Sequence, residues 1–543
     1  MSKWLRTTTR TQSWAHWRRV RQVIQILVFI FFIYLLFAAL QRRAVFPLAD
    51  LFFRLNPLAA FTTMLASRSW IPRLGLSLIT VGLTLMIGRV WCGWLCPLGT
   101  LLEWITFRNT LRTTAILTPH LRKLKNILLW AILSMALFSG LSLLIFDPLA
   151  LFTRTMTTAI IPALNFAVTT LEKVLYPIPI FQPLVSWVEG VLRGYVLPVV
   201  QPTFAQNILI ISFFTAILGL NFLADRFWCR YLCPLGALLG LLSRISIFRP
   251  VISPACNRCG RCVSACRLDA IDARSYRINP SECTVCLDCL VTCPEGGIAF
   301  HPLPSTHFLK ANKNLIVPQI KGGNAPLPTI FKGNSGEFLS RREALQVFAF
   351  STVSLLFLRS GIAIKGQYAR FIRPPGVDDE AAFLARCLRC SQCMKICPTS
   401  GLQPASPPSP QSWGEAEGIW SPRLIPRLGY CDYGCNACGQ ICPSGAIPPL
   451  SLAEKRTKVI GLAVVDRDRC LPWASAIPCI VCEEMCPTPE KAIRLEEIPS
   501  TNSNGEIVML QQPYVLKDLC IGCGICEYRC PLVGEAAIRV IRQ

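Results

Sequence analysis

The stretch Cys256-Asn-Arg-Cys259-Gly-Arg-Cys262-Val-Ser-Ala-Cys266, answered by Cys283-Thr-Val-Cys286-Leu-Asp-Cys289-Leu-Val-Thr-Cys293-Pro294, decides the fold. Three thiolates at two-residue gaps, then a fourth three residues on, is the spacing of a two-cluster bacterial ferredoxin. Three close sulfurs wrap three irons of one 4Fe-4S cubane and the fourth reaches the partner cubane. Cys256, Cys259 and Cys262 with Cys293 are expected to hold one cluster, and Cys283, Cys286 and Cys289 with Cys266 the other. Four further groups follow nearly the same plan: Cys387, Cys390, Cys393 and Cys397; Cys431, Cys435, Cys438 and Cys442; Cys470, Cys479, Cys482 and Cys486; Cys520, Cys523, Cys526 and Cys530. For these four the expectation is a nested exchange of fourth ligands, first group with fourth and second with third, although sequential exchange satisfies the spacing too. A small residue plus Ile or Leu follows each group (Ala270-Ile271, Gly297-Ile298, Gly401-Leu402, Ala446-Ile447, Ala492-Ile493, Ala537-Ile538), as if an aliphatic side chain covered each cluster. Structural zinc pairs two knuckles across a longer gap, often with histidine, and this chain has only four histidines. Disulfides give no reason for six-fold repetition.

Outside these groups the chain is greasy. Of its 543 residues 52% are hydrophobic and 16% charged, where soluble domains carry about 25% charged residues. Lys3, Arg6, Arg10, Arg18, Arg19 and Arg21 precede an apolar run at 23–40, the pattern of a first transmembrane helix with a cytoplasmic start. Further spans are expected at 74–90, 126–146 and 207–224. Residues 157–204 are apolar but interrupted by Pro162, Pro177, Pro179, Pro183, Pro198 and Pro202, and are expected to lie at the external interface. The expected fold class is a membrane α-helical bundle of four helices plus a fifth, carrying α+β bacterial-ferredoxin-like domains. Its units are a four-helix membrane domain (1–245), a cytoplasmic two-cluster ferredoxin domain (246–300), a linker (301–338), a twin-arginine-like signal with a fifth helix (339–364) and an external four-cluster domain (365–543). The formal charge of +24 counts cysteines as neutral, and each oxidised 4Fe-4S cluster with four thiolates adds about −2. The basic residues flank apolar spans, which fits lipid and topology signals rather than nucleic acid.

The membrane part repeats itself. Arg89-Val-Trp-Cys92-Gly-Trp-Leu-Cys96-Pro97-Leu98-Gly99 recurs as Arg226-Phe-Trp-Cys229-Arg-Tyr-Leu-Cys233-Pro234-Leu235-Gly236, and Asn56-Pro57-Leu58 is echoed by Asp147-Pro148-Leu149. Each cysteine pair lies at i and i+4, on one helical face. Three readings stand for Cys92, Cys96, Cys229 and Cys233: buried thiols that pack as small hydrophobes, a reversible dithiol, or four thiolates converging on an additional small cluster. No C-x-x-C-H occurs, no G-x-G-x-x-G follows a strand and no P-loop appears, so neither haem nor flavin, nicotinamide or nucleotide is indicated. Electrons enter and leave through other molecules.

The first 300 residues, with four helices, two Cys-x-x-x-Cys-Pro motifs and two ferredoxin groups, resemble the NapH family of membrane iron–sulfur proteins. Residues from about 338 onward resemble the NapG/MauM ferredoxin-type family. That second likeness rests on the arginine pair, the four groups and Cys470-Leu-Pro-Trp-Ala-Ser-Ala-Ile-Pro-Cys479-Ile-Val-Cys482-Glu-Glu-Met-Cys486-Pro487. The resemblance implies a fused quinol dehydrogenase module in a bacterial inner membrane. Such a module passes electrons from membrane quinol to a periplasmic redox enzyme or carrier, as in nitrate reductase or methylamine dehydrogenase systems. Asp147 and Asp50 then become candidates for accepting quinol protons, or serve simply as helix caps. The chain departs from the pattern in having Asn56 opposite Asp147, and in showing Arg341-Arg342-Glu343-Ala344-Leu345 without the phenylalanine usual in twin-arginine signals. A maturation factor that delivers electrons or reduces thiols for a periplasmic metalloenzyme is the alternative.

Overall fold

The computed structural model describes residues 2–40, 48–105, 119–253, 256–273, 275–302, 340–365, 371–406, 417–501 and 507–542. The expected linker lies almost wholly outside them. Helix α1 (Ser2–Leu40) runs 39 residues with neither glycine nor proline to stop it. There follow α2 (Leu51–Arg54), α3 (Pro57–Ser67), α4 (Ser77–Ile87), α5 (Pro97–Trp104), α6 (Lys123–Leu137), α7 (Pro148–Thr155), α8 (Ile161–Leu175), α9 (Gln182–Tyr195), α10 (Asn207–Gly219) and α11 (Pro234–Leu242). Among the described residues two helical runs are long and apolar enough to cross a membrane, Ser13–Leu40 and Pro148–Leu175.

This differs from the expected spans. The segments 74–90, 126–146 and 207–224 do form helices, but α4, α6 and α10 hold only 11, 15 and 13 residues. At 1.5 Å per residue none covers a hydrocarbon core of about 30 Å alone. Gly88 ends α4 at φ 93, a backbone state that side chains avoid. Conversely, the stretch expected at the interface begins as helix: α7 continues through a π-helical turn (Met156–Ile160) into α8. Pro162 falls just past that turn, at a position where its missing N–H is tolerated.

The helical part buries charged and polar side chains within its apolar core and exposes apolar ones. Leu27 (59% exposed), Phe166 (64%) and Ile208 (78%) point outward from α1, α8 and α10, whereas Arg21, Asn56, Arg89, Asp147 and Arg154 are buried. Two cysteine-rich bodies attach to it. In the inner body β1 (Phe248–Ile252) pairs antiparallel with β2 (Ile298–Pro302). The outer body holds three antiparallel pairs: β3 (Leu402–Pro404) with β4 (Pro422–Leu424), β5 (Leu462–Val465) with β8 (Ile538–Ile541), and β6 (Ile493–Thr501) with β7 (Ile507–Val515).

Helix α1 fixes where the bodies sit. Trp14 packs on Phe300 at 5.9 Å and Arg18 pairs with Asp288, both in the inner body, while Ala39 packs against Ile396, Ala437 and Ile441 of the outer body. Trp14 and Ala39 are 25 residues apart on one helix, about 38 Å at its standard rise. The bodies therefore occupy opposite ends of α1, separated by more than a bilayer core.

The inner body docks through close backbone approach and buried charge. A Cβ on Gly93 would lie 2.1 Å from the Thr284 carbonyl oxygen, and one on Gly240 2.8 Å from that of Ser281, so both positions require glycine. Arg89 donates to the Ser281 carbonyl at 2.6 Å, and Glu282 pairs with both Arg89 and Lys125, all three side chains being buried. Removing the carboxylate would strand two buried cations. Glu282→Gln is expected to lower the stability of the detergent-solubilised full chain by about 3 kcal/mol, read as an earlier unfolding midpoint; an unchanged midpoint would contradict this interlock.

Candidate metal centres

Each of the six groups places its third cysteine on a short helix, from Arg261–Ala265 around Cys262 to Ile525–Arg529 around Cys526. In four of them the chain turns through the left-handed region immediately before that helix, at Gly260, Leu287, Ser391 and Gly524. This turn wraps the first three thiols around a common space.

The fourth thiol comes from a neighbouring group. One cavity is lined by Cys283, Cys286 and Cys289 together with Cys266, and Cys262 lies within electrostatic range of Cys256 and Cys293. Cys259 sits exposed on the same loop as Cys256. The expected cross-exchange in the inner body thus matches where these side chains stand.

The outer body corrects the nested expectation. Cys431, Cys435 and Cys438 share a cavity with Cys397; Cys470, Cys479 and Cys482 share one with Cys530; Cys520, Cys523 and Cys526 share one with Cys486. Cys387, Cys390 and Cys393 are gathered with Cys442. Exchange is sequential, first group with second and third with fourth. The β3–β4 and β5–β8 pairs hold each two-group unit together locally, and cysteine spacing carries no record of strand pairing. Ile271, Leu402, Ile493 and Ile538 line these same cavities, each beside the fourth thiol that precedes it in sequence.

The donor sets fit iron–sulfur clusters. Backbone N–H groups donate to sulfur at Cys266, Cys293, Cys442 and Cys520, from Ala270 (3.2 Å), Gly297 (3.2 Å), Ile447 (3.5 Å) and Ala463 (3.5 Å). The surroundings are dry: burial pushes the Cys431 and Cys482 thiols up to about 12. Among the described residues no three His, Cys, Asp or Glu side chains converge closely enough for one shared metal ion. Tetrahedral zinc would need four sulfurs about 2.3 Å from one point, whereas a cubane spreads its ligands over separate irons.

The two membrane motifs also meet. Cys92 and Cys229 lie on π-helical turns (Trp91–Leu95 and Trp228–Leu232), and Cys96 and Cys233 cap α5 and α11. All four are buried, and each lies within electrostatic range of the other three. Asn56 and Asp147, the echoed caps, join through a 2.8 Å hydrogen bond. Asp147 accepts N–H bonds from Leu149 and Ala150 and lies in electrostatic range of Cys96. Asp50 pairs with Arg54 at 2.6 Å.

Sequence reasoning missed Glu103. Its carboxylate gathers Arg21 and Gln25 of α1, Arg226 of the second repeat and Arg267 of the inner body, pinning three other segments to α5. Its only sequence signal is that it is an acid among apolar neighbours just after a repeated motif.

A family description, "4Fe-4S binding domain", matches residues 70–114 and 206–252, the two copies of the membrane repeat. Among curated proteins the chain is similar to the methylamine utilization ferredoxin-type protein MauM of Methylophilus methylotrophus, 32% identical over 37% of this chain and 84% of that protein. It is similar to the ferredoxin-type protein NapG of Escherichia coli, 37% identical over 37% of this chain and 85% of that protein. It is also similar to protein NirI of Paracoccus denitrificans, 30% identical over 41% of this chain but only 27% of that protein. No solved structure matches.

Sequential exchange has a direct consequence. Cys442→Ser is expected to perturb the paramagnetic signal of the cluster on Cys387, Cys390 and Cys393, and Cys530→Ser that of the cluster on Cys470, Cys479 and Cys482. Nested exchange would instead couple Cys530 to the Cys387 set, and that pattern in the two spectra would contradict the assignment.

Proposed function

Because the chain belongs to the MauM/NapG ferredoxin-type family, we propose that it relays single electrons from membrane quinol to a redox enzyme or carrier outside a bacterial inner membrane. In this reading the amino-terminal part is a fused NapH-type membrane module. The observation that carries it is the position of two cysteine-rich bodies at opposite ends of α1, with outward-facing apolar side chains between them. The 24 cysteines of the six groups serve as ligands; six bound 4Fe-4S clusters supply one-electron carriers. In four of the cavities an Ile or Leu side chain helps keep water out, and backbone N–H groups donate to Cys266, Cys293, Cys442 and Cys520, which favours the more negative, reduced state. Within the outer body the Cys431 N–H donates to the Cys523 carbonyl at 2.8 Å, bringing its two halves into contact. The partner's class is taken by analogy with the relatives, one of which is a methylamine utilization protein.

Quinol oxidation releases two electrons and two protons, so its headgroup needs polar contacts next to a cluster. A cavity between the start of α8 and the outer body answers this. Its wall is apolar at Leu40, Ile161, Val199 and Phe204, and it reaches Cys397. Thr157 and Lys395 also line it, and Thr157 Oγ1 and Lys395 Nζ are buried without a hydrogen-bond partner. In this reading these two residues hold the quinol oxygens.

Two outcomes test this reading. Thr157→Val is expected to slow reduction of the clusters by a quinol analogue about fivefold, the value of one lost hydrogen bond of about 1 kcal/mol, while dithionite still reduces them fully. Clusters that remain oxidised with a quinol of suitable potential would remove the respiratory role and leave the maturation alternative. Impermeant thiol labelling of spheroplasts is expected to reach sites beyond residue 365 while 249–302 stay protected. Protection of both regions until lysis would place all the clusters on one side.

A further inference from the structure

One stretch of the outer body has no part in holding a cluster. Eight residues, Leu471-Pro-Trp-Ala-Ser-Ala-Ile-Pro478, separate Cys470 from Cys479, where the first two cysteines of the other five groups are two or three residues apart. We infer that electrons leave the chain from the set Cys470, Cys479, Cys482 and Cys530, across an exposed apolar patch of Ile477, Ile480 and Val533 that receives an oxidised one-electron redox protein with a basic collar. This rests on the electron-relay reading and names the surface its partner would use.

The contacts among the ligand sets lead to this one. The set on Cys387, Cys390, Cys393 and Cys442 faces the helical part: the Arg389 carbonyl accepts from Arg154 of α7, and Gln392 donates to the Ala49 carbonyl. The set on Cys431, Cys435, Cys438 and Cys397 faces it too, since Cys435 packs with Ala39 and Ala49, and Cys397 lines the cavity at the start of α8. From there Cys431 adjoins Cys523, through the backbone hydrogen bond between them and within electrostatic range. Cys526 in turn lies within range of Cys482. The Cys470 set is therefore last in line from the helical part. It is also the more open of the two distal sets: Cys479, Cys482 and Cys530 are half-buried, whereas Cys486, Cys520, Cys523 and Cys526 are all buried.

The eight-residue insert builds the rim of that opening. It starts as a four-residue helix (Leu471–Ala474), and Trp473 ties it down: Arg467 stacks 4.1 Å from the indole, Tyr514 packs at 5.4 Å, and the indole N–H donates to the Pro513 carbonyl at 3.4 Å. Ala476 then turns through φ 52, and the Ile477 N–H returns to the Leu471 carbonyl at 3.1 Å. So anchored, the loop leaves Ile477 49% exposed. Leu471, Val481, Pro531 and Leu532 wall the cavity of this cysteine set. Ile477 is bonded to the first of these, and Ile480 and Val533 are chain neighbours of the second and the last. Val533 is 95% exposed. Apolar side chains held in water around a cluster gain by being covered.

Charge selects what covers them. The chain as a whole is strongly basic at +24, yet residues 459–543 hold 11 acids against 8 lysines and arginines. Two bound clusters add about −4. Glu483 and Glu484, three and four residues after Ile480, form no ion pair among the described residues. An acidic surround attracts a partner whose redox centre is ringed by lysine or arginine, and raises its rate of encounter. The apolar contact then excludes water between the two centres. In the transfer one electron leaves the reduced cluster and enters the oxidised centre of the partner, and neither a proton nor a bond changes hands.

The test uses the full chain in detergent, its clusters reduced with dithionite that is then removed, and oxidised cytochrome c as a lysine-rich one-electron acceptor protein. Ile480→Lys with Val533→Lys is expected to slow cytochrome reduction at least about tenfold, while the variant keeps its cluster spectrum and its reduction by dithionite. Leu452→Lys with Ile507→Lys adds the same charge at exposed positions elsewhere on the outer body. That control is expected to stay within about twofold of the wild type, because surface charge is screened beyond about 10 Å. Raising the ionic strength from about 0.02 M to about 0.3 M should slow the wild type several-fold. An undiminished rate in the patch variant, equal slowing in the control, or a wild-type rate indifferent to salt would overturn the proposal. So would a wild-type dimer that the patch variant converts to monomer with cytochrome reduction unchanged, which would assign the patch to a second copy of the chain. None of these results touches the relay reading, whose failure shows separately as clusters that a quinol analogue leaves oxidised.

Discussion

Two arginines, Arg89 and Arg226, are buried where water cannot reach them, and most of the inner half of the molecule is arranged to answer their charge. An uncompensated buried cation is strongly destabilising, whereas a paired one is nearly neutral. Arg89 finds Glu282 and the Ser281 carbonyl, both on the inner body, so satisfying it is the same act as docking that body. Arg226 finds Glu103, which also holds Arg21 and Gln25 and so fixes the height of α1. Once α1 is fixed, its far end sets where the outer body meets Ala39. Charge compensation thus acts beside apolar packing in deciding which segments meet. That is expected where the outward surface is itself apolar and burying it brings little gain.

The parts legible in the sequence were those set by local chemistry. Cys-x-x-Cys spacing reports on a loop that wraps one cluster, and the Ile or Leu after four of the six groups does line a cysteine cavity. The repeat around Cys92 and Cys229 predicted two equivalent sites, and the structure brings them within range of one another. What stayed illegible depended on distant pairing. Nested and sequential exchange have the same cysteine spacing, and only the pairing of β3 with β4 and β5 with β8 separates them. Prolines within 157–204 argued against a long helix, but a π-helical turn placed Pro162 where its missing N–H does little harm. Conversely, apolar length at 74–90 promised a span, but the α-helix there begins only at Ser77, after a 3-10 turn, and stops before Gly88. Glu103 was invisible because an isolated acid has no pattern until its four partners are assembled around it.

The division of labour follows from burial and from the placement of the two bodies at opposite ends of α1. Loops with left-handed turns hold the cysteine sets, aliphatic side chains and β pairs keep them dry, and the helical part supplies distance and orientation. The relatives that place the chain in its family each match little more than a third of it, in keeping with a ferredoxin-type portion joined to a helical portion that carries its own 4Fe-4S family match. The feature that neither half would have alone is the joint arrangement, with cysteine sets at both ends of one 39-residue helix.

That the chain is a multi-cluster electron carrier is tested most directly by counting electrons. Stepwise anaerobic reduction of the purified full-length chain, followed by optical and paramagnetic spectra, is expected to consume at least about six electrons per chain in one-electron steps. Uptake of two electrons or fewer, or a sample filled with zinc at near stoichiometry, would contradict the account.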